Sequence, residues 1–107
     1  MLGKLEELCL LQLAVKGPRQ KAGVIQQGLV RHSPDLTTFS NVHTALTRLV
    51  AKGFVVREDA VEAERKTVYF SLTSDGRAAL DMNVRATEPL IRAYRFLANV
   101  NSARGQI

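Results

Sequence analysis

Residues 40–58, SNVHTALTRLVAKGFVVRE, decide the fold. Val42, Ala45, Leu46, Leu49 and Val50 recur at three- and four-residue spacing, the period of one face of a helix. Gly53 then suits a helix end that needs a positive φ, and Phe54-Val55-Val56 is a short, β-branched run of strand character. A helix therefore passes directly into an extended segment, with Leu46, Leu49 and Phe54 placed to lock the two together. The other side of the same helix carries Ser40, Asn41, His43, Thr44, Thr47, Arg48 and Lys52. Solubility alone would favour Glu and Lys there. Short hydrogen-bonding side chains instead let a helix approach a groove closely and bond to phosphates or base edges.

Working outward towards the N-terminus, Thr37 or Thr38 offers a hydroxyl cap, which predicts a helix over about 38–52 with Phe39 joining its apolar face. His32-Ser33-Pro34-Asp35 has turn chemistry. A shorter helix is expected over 21–31, with Val24, Ile25, Leu29 and Val30 inward. The first helix, about 2–16, is apolar on nearly every face from Leu8 onward and ends at Gly17-Pro18. Such a helix is covered on more than one side, either as a central core element or by its own domain together with a partner subunit.

Towards the C-terminus, Val68, Phe70 and Leu72 alternate within KTVYFSL (66–72), so 54–73 reads as a β-hairpin, its tip the long polar stretch EDAVEAER (58–65). A last helix begins near Ser74 or Asp75 and occupies 74–100, with Pro89 either kinking it or opening a second helix from Glu88 to about Asn99. Residues 101–107 are expected to form a frayed tail.

The 107 residues are 46% hydrophobic and 23% charged, the composition of one globular domain with a core. The longest apolar run is Leu8 to Leu11, too short for a membrane span, and Glu6 and Glu7 interrupt any signal-peptide pattern. A cytoplasmic location is expected. Cys9 is the only cysteine, so no internal disulfide forms, and its leucine surroundings predict a buried, inert thiol. His32 has no second metal ligand at useful spacing, and no nucleophile–base arrangement or phosphate-binding glycine motif occurs. The expectation is no metal, no cofactor and no enzyme. Glu6, Glu7, Glu62 and Glu64 read as solvated charges.

Charge is distributed unevenly. Residues 1–57 carry eight basic and three acidic side chains, 58–64 four acidic and no basic, and 65–107 seven basic and three acidic. The pI near 9.9, with ten arginines among fifteen basic residues, points to a polyanionic partner.

Helix, helix, helix, hairpin, helix is the outline of a winged helix-turn-helix over 1–76, mainly α with a small β-hairpin, followed by a C-terminal helix. Three stretches resemble PadR-like transcriptional regulators: SNVHTALTRLVAKGFVVRE, similar to the family's recognition helix and first wing strand; TVYFSLTSDGRAAL, similar to its second wing strand and exit; and LGKLEELCLLQLAVKGP, similar to its first helix. The resemblance covers about residues 2–82. It implies a DNA-binding transcriptional repressor that dimerises through its first and last helices. The chain departs from the pattern at His43, where the family generally has tyrosine, at Ala22-Gly23-Val24, where an aromatic is common, and in having no tryptophan.

The residues expected at DNA are Thr38, Ser40, Asn41, His43, Thr44, Arg48 and Lys52 on the third helix, with Arg65 and Lys66 on the wing. Asn41 has the chemistry to read adenine, and Arg48 to hold phosphate. Leu5, Leu8, Leu90, Ile91, Tyr94 and Leu97 are the expected homodimer interface on a palindromic operator, because these apolar faces exceed what 107 residues can cover. A small-molecule effector is left open. The rival reading is a winged helix used only for protein–protein contact.

Overall fold

The computed structural model describes residues 2–105, with side chains through 101, as α1 (Lys4–Lys16), α2 (Ala22–Val30), α3 (Phe39–Ala51), β1 (Val55–Glu62), β2 (Arg65–Leu72) and α4 (Ser74–Gly105). It is mainly helical, with one antiparallel hairpin and a C-terminal helix. α1 is the central element, touching α2, α3, β2 and α4. Cys9, Leu10, Leu13, Ile25, Leu29, Val42, Leu46, Leu49, Val55, Phe70 and Leu80 form one buried cluster. Its side chains come from every element, so helices and wing fold on a common core.

Helix ends follow local chemistry. Thr38 caps α3, its hydroxyl accepting from the Asn41 N–H at 3.2 Å. Thr37 is fully buried instead and donates to the Ser33 carbonyl. Gly53 takes φ +80 after α3, and the Phe54 N–H returns to the Leu49 carbonyl at 3.0 Å. The wing leads into α4 through Thr73, whose hydroxyl donates to the Gly53 carbonyl (2.8 Å) and accepts from the Gly76 N–H (3.0 Å). Thr73 is therefore the cap.

The wing corrects one expectation. The tip is not a long polar loop: both strands run eight residues, from Val55↔Leu72 to Glu62↔Arg65. They close through Ala63 and Glu64 alone, at φ +48 and +64. Two consecutive positive φ values are those of a type I′ turn, whose twist matches a hairpin. Gln20 adds a short bridge on the free edge of β2, exchanging both backbone bonds with Phe70 at 2.9 and 2.8 Å.

α4 is one continuous helix through Pro89, neither broken nor restarted there, and it continues to Gly105 where a frayed tail was expected from Asn101. Residues 106–107 lie outside the described ones. The first half of α4 packs on α1 through Leu80 and Val84, with the Asn83 amide donating to Glu7. Its second half projects, giving extents of 64 × 26 × 20 Å. No helix among the described residues is long and apolar enough to cross a membrane.

Candidate nucleic-acid interface

α3 lays its apolar stripe on the core and presents Ser40, Asn41, His43, Thr44, Thr47 and Arg48 to solvent. Their hydrogen bonding sorts them. The Asn41 amide donates to the Leu36 carbonyl at 3.2 Å, tying down the preceding loop, and the Thr47 hydroxyl donates to the His43 carbonyl at 2.9 Å. Asn41, Thr44 and Arg48 line one flank of α3, beside Lys4 and Leu36. Ser40 and Thr44 lie nearest the outward centre of the helix, between Asn41 and His43.

The other flank holds a groove of about 420 Å³ between α2, α3 and the wing, lined by Lys21, Gly23, Phe39, His43, Lys66 and Phe70 among others. His43 and Lys66 thus share a groove where α2, the recognition-type face and β2 converge, while the Lys21 ammonium lies 5.8 Å from the Tyr69 ring. Phe39 was expected in the core, but it is 53% exposed on the rim of this groove, its ring stacked with His43 at 6.2 Å between centroids. Val24 is likewise at the surface.

Strand alternation separates Arg65 from Lys66. Lys66 shares its face with Val68 and Phe70 and looks into the groove. Arg65 lies opposite Glu62 on the reverse face, with Tyr69 and Glu58. On that reverse face the Tyr69 hydroxyl donates to Glu62 at 2.6 Å, which raises the Tyr69 pKa. Arg19 forks onto Glu58 at 3.0 and 3.3 Å, which raises its own pKa.

Lys52 and Glu6 depart from expectation together. Lys52 Nζ sits 2.6 Å from Glu6 Oε2, so this ammonium holds α3 to α1 rather than facing outward with Arg48. Glu6 is no solvated charge: it is 8% exposed and its Oε1 accepts from the Gly3 N–H at 3.0 Å. Burial alone would raise its pKa, but Lys52, the Gly3 N–H and Arg48 together hold it below its ordinary value. Cys9 is fully buried, and desolvation pushes its thiol up to about 12.

Leu5 and Leu8 are half-buried within their own domain, whereas Leu90, Ile91, Tyr94 and Leu97 form an exposed stripe along the projecting half of α4. Sequence reasoning missed Lys21 altogether. The signal was available, as a lysine immediately before a helix start. Among the described residues no group of three or more metal-ligating side chains occurs.

Solved structures with this arrangement are transcription regulators. A PadR-family regulator from hypervirulent Clostridium difficile R20291 matches with a TM-score of 0.72 and 18% identity over 89% of this chain and 99% of that one. The chain has the fold of the PadR regulators. A transcriptional regulator from Thermoplasma acidophilum matches at 0.70 and 18% identity, over 90% of each chain. Lactococcus lactis ZitR, solved in complex with DNA, matches at 0.68 and 22% identity over 92% of this chain but 62% of that one. No family model and no curated protein matches the sequence. At these identities the PadR-like architecture is shared, and the side chains that would meet a ligand are this chain's own.

Proposed function

We propose that this PadR-like protein is a cytoplasmic, non-catalytic DNA-binding transcriptional regulator, a repressor that binds a palindromic operator as a homodimer. One observation carries the reading: the small-polar face of α3 adjoins a groove lined by His43 and Lys66, with Arg48 on the opposite flank. Phosphates on either side of a major groove would meet positive charge on both flanks while Ser40, Thr44 and Asn41 face the base edges. Thr38 serves this face indirectly as the cap of α3. Lys66 is the wing residue aimed at the backbone, and Arg65 is set aside on the reverse face.

The exposed stripe of Leu90, Ile91, Tyr94 and Leu97 supports dimerisation through α4, with Leu5 and Leu8 of α1 supplying apolar surface. A two-fold dimer presents two α3 helices to half-sites about one helical turn apart.

Selection of duplexes from a random library by the intact protein tests the proposal. The expected outcome is a palindromic consensus with affinity that falls steeply with salt, as released counterions require. Failure to enrich any sequence, with no salt-dependent binding to random duplex, would instead favour the protein–protein reading.

A further inference from the structure

The wing meets the core through Val55, Phe70 and Leu72 near the base of the hairpin and through Val68 farther out, on the face turned towards the helices. On the reverse face the core gives no support: Val56, Glu58, Glu62 and Arg65 are all exposed. A hairpin held from one face alone is free to tilt, since an isolated two-stranded ribbon is marginal in water. One residue outside the hairpin engages both of its strands on that reverse face. Arg19, in the loop between α1 and α2, takes φ +59 and so turns its N–H onto the Ser71 hydroxyl at 2.9 Å. Its guanidinium lies 4.3 Å over the Tyr69 ring and forks onto Glu58 of the neighbouring strand. Glu58 and Tyr69 are a register pair, three steps out from Val55↔Leu72. Arg19 thereby grips both strands on the face away from α3. The adjoining Gln20 pairs with Phe70, and Lys21 reaches over the same Tyr69 ring at 5.8 Å.

We infer that Arg19 is a positioning residue: a strap that sets the angle of the wing and so carries Lys66 to the DNA backbone without touching DNA itself. The inference rests on the DNA-binding reading. The chemistry is particular to arginine, because a planar fork can bind a carboxylate while stacking on a ring, and a lysine ammonium cannot do both. A left-handed backbone at a non-glycine residue is itself a strained choice, held in place by the contacts it permits.

The test compares Arg19→Ala, Arg19→Lys, Lys66→Ala and the Arg19→Ala/Lys66→Ala double variant with the native chain. Alanine keeps a side-chain carbon at the positive-φ site, so the loop backbone is not freed. In the protein without DNA, amide hydrogen exchange over residues 58–69 should accelerate in Arg19→Ala while amides of the helical core stay unchanged. On the selected operator, Arg19→Ala should lose about three- to tenfold in affinity and about one unit of salt slope, as Lys66→Ala does. The double variant should be no weaker than the poorer single one, and Arg19→Lys should fail to restore binding. Unchanged exchange, or losses that simply add in the double variant, would overturn the strap. Should the native chain show no salt-dependent DNA binding, the functional reading fails, and the exchange rates alone then decide whether Arg19 holds the wing.

Discussion

Lys52 Nζ and Glu6 Oε2 lie 2.6 Å apart across 46 residues of sequence, joining the end of α3 to the first turn of α1. The two partners are unequally placed: the Glu6 side chain is 11% exposed and that of Lys52 39%. Removing one is therefore not equivalent to removing the other. Lys52→Met strands a buried carboxylate and should cost about 1–3 kcal/mol in urea unfolding, whereas Glu6→Gln leaves an ammonium that water can reach and should cost less. Equal losses in the two variants would contradict the asymmetry. The pH dependence has a definite sign. Because the Glu6 carboxyl is held below its ordinary 4.5 when folded, its contribution is present above that pH. It is lost as pH falls through the lower folded value, and Glu6→Gln should flatten that part of the stability curve.

The wing offers a discriminating pair. Lys66→Ala should weaken operator and random duplex alike and lower the salt slope by about one unit, while Arg65→Ala leaves both nearly unchanged. Equal effects from adjacent residues would mean that the face assignment from strand alternation is wrong. On the outward face of α3, Ser40→Ala and Thr44→Ala should lose affinity at particular base pairs only, by about 1–3 kcal/mol each.

Gly76 has no room for a side chain. A Cβ there would stand 2.1 Å from the Phe54 carbonyl oxygen and 2.9 Å from Leu72 Cδ1, at the junction of wing and α4. Backbone cannot swing aside as a side chain can. Gly76→Ala should therefore destabilise by more than about 2 kcal/mol despite its favourable helix propensity, measured as a shift in the denaturation midpoint.

Dimerisation is expected to fail when charge enters the α4 stripe. Leu90→Glu combined with Tyr94→Glu should leave an 11.8 kDa species in sedimentation at micromolar concentration, with the native chain sedimenting at twice that mass. Both side chains are about 70% exposed within the single chain, so its circular dichroism should be preserved. Helical signal lost together with the dimer would show that the domain depends on its partner to fold.

Cys9 should resist alkylation at pH 8 until the chain unfolds, since a fully buried thiol with its pKa pushed to about 12 carries almost no thiolate there. Because that value is raised from 9.0, native stability should decline as pH climbs from 9 towards 12. Cys9→Ala should remove part of that decline.

What was legible in the sequence is what local chemistry determines. Three helix ends follow from Gly17, Gly53 and a threonine cap, and the strands follow from β-branched alternation. The tip turn was not legible, because Ala63-Glu64 lacks the Asn-Gly signal and adopts positive φ under the demands of strand twist. Phe39 looked internal by type, yet it stands at the first turn of α3, where a groove and not a neighbouring helix lies beside it. Glu6 with Lys52, and Arg19 with Glu58, are pairs 46 and 39 residues apart whose partners only the tertiary fold selects. The continuity of α4 through Pro89 is likewise a property of the whole helix rather than of the proline.

The acidic run 58–64 brings four carboxylates and no basic residue to the wing. In the folded chain it forms most of β1, whose one sheet neighbour among the described residues is β2. The far edge of β1 therefore offers unpaired amides and carbonyls to any passing strand. Arg57, Glu58, Asp59 and Glu62 line that edge with exposed charged side chains, which a second strand would have to desolvate before its backbone could pair. The acidic run thus guards the open edge of the wing against strand-on-strand pairing.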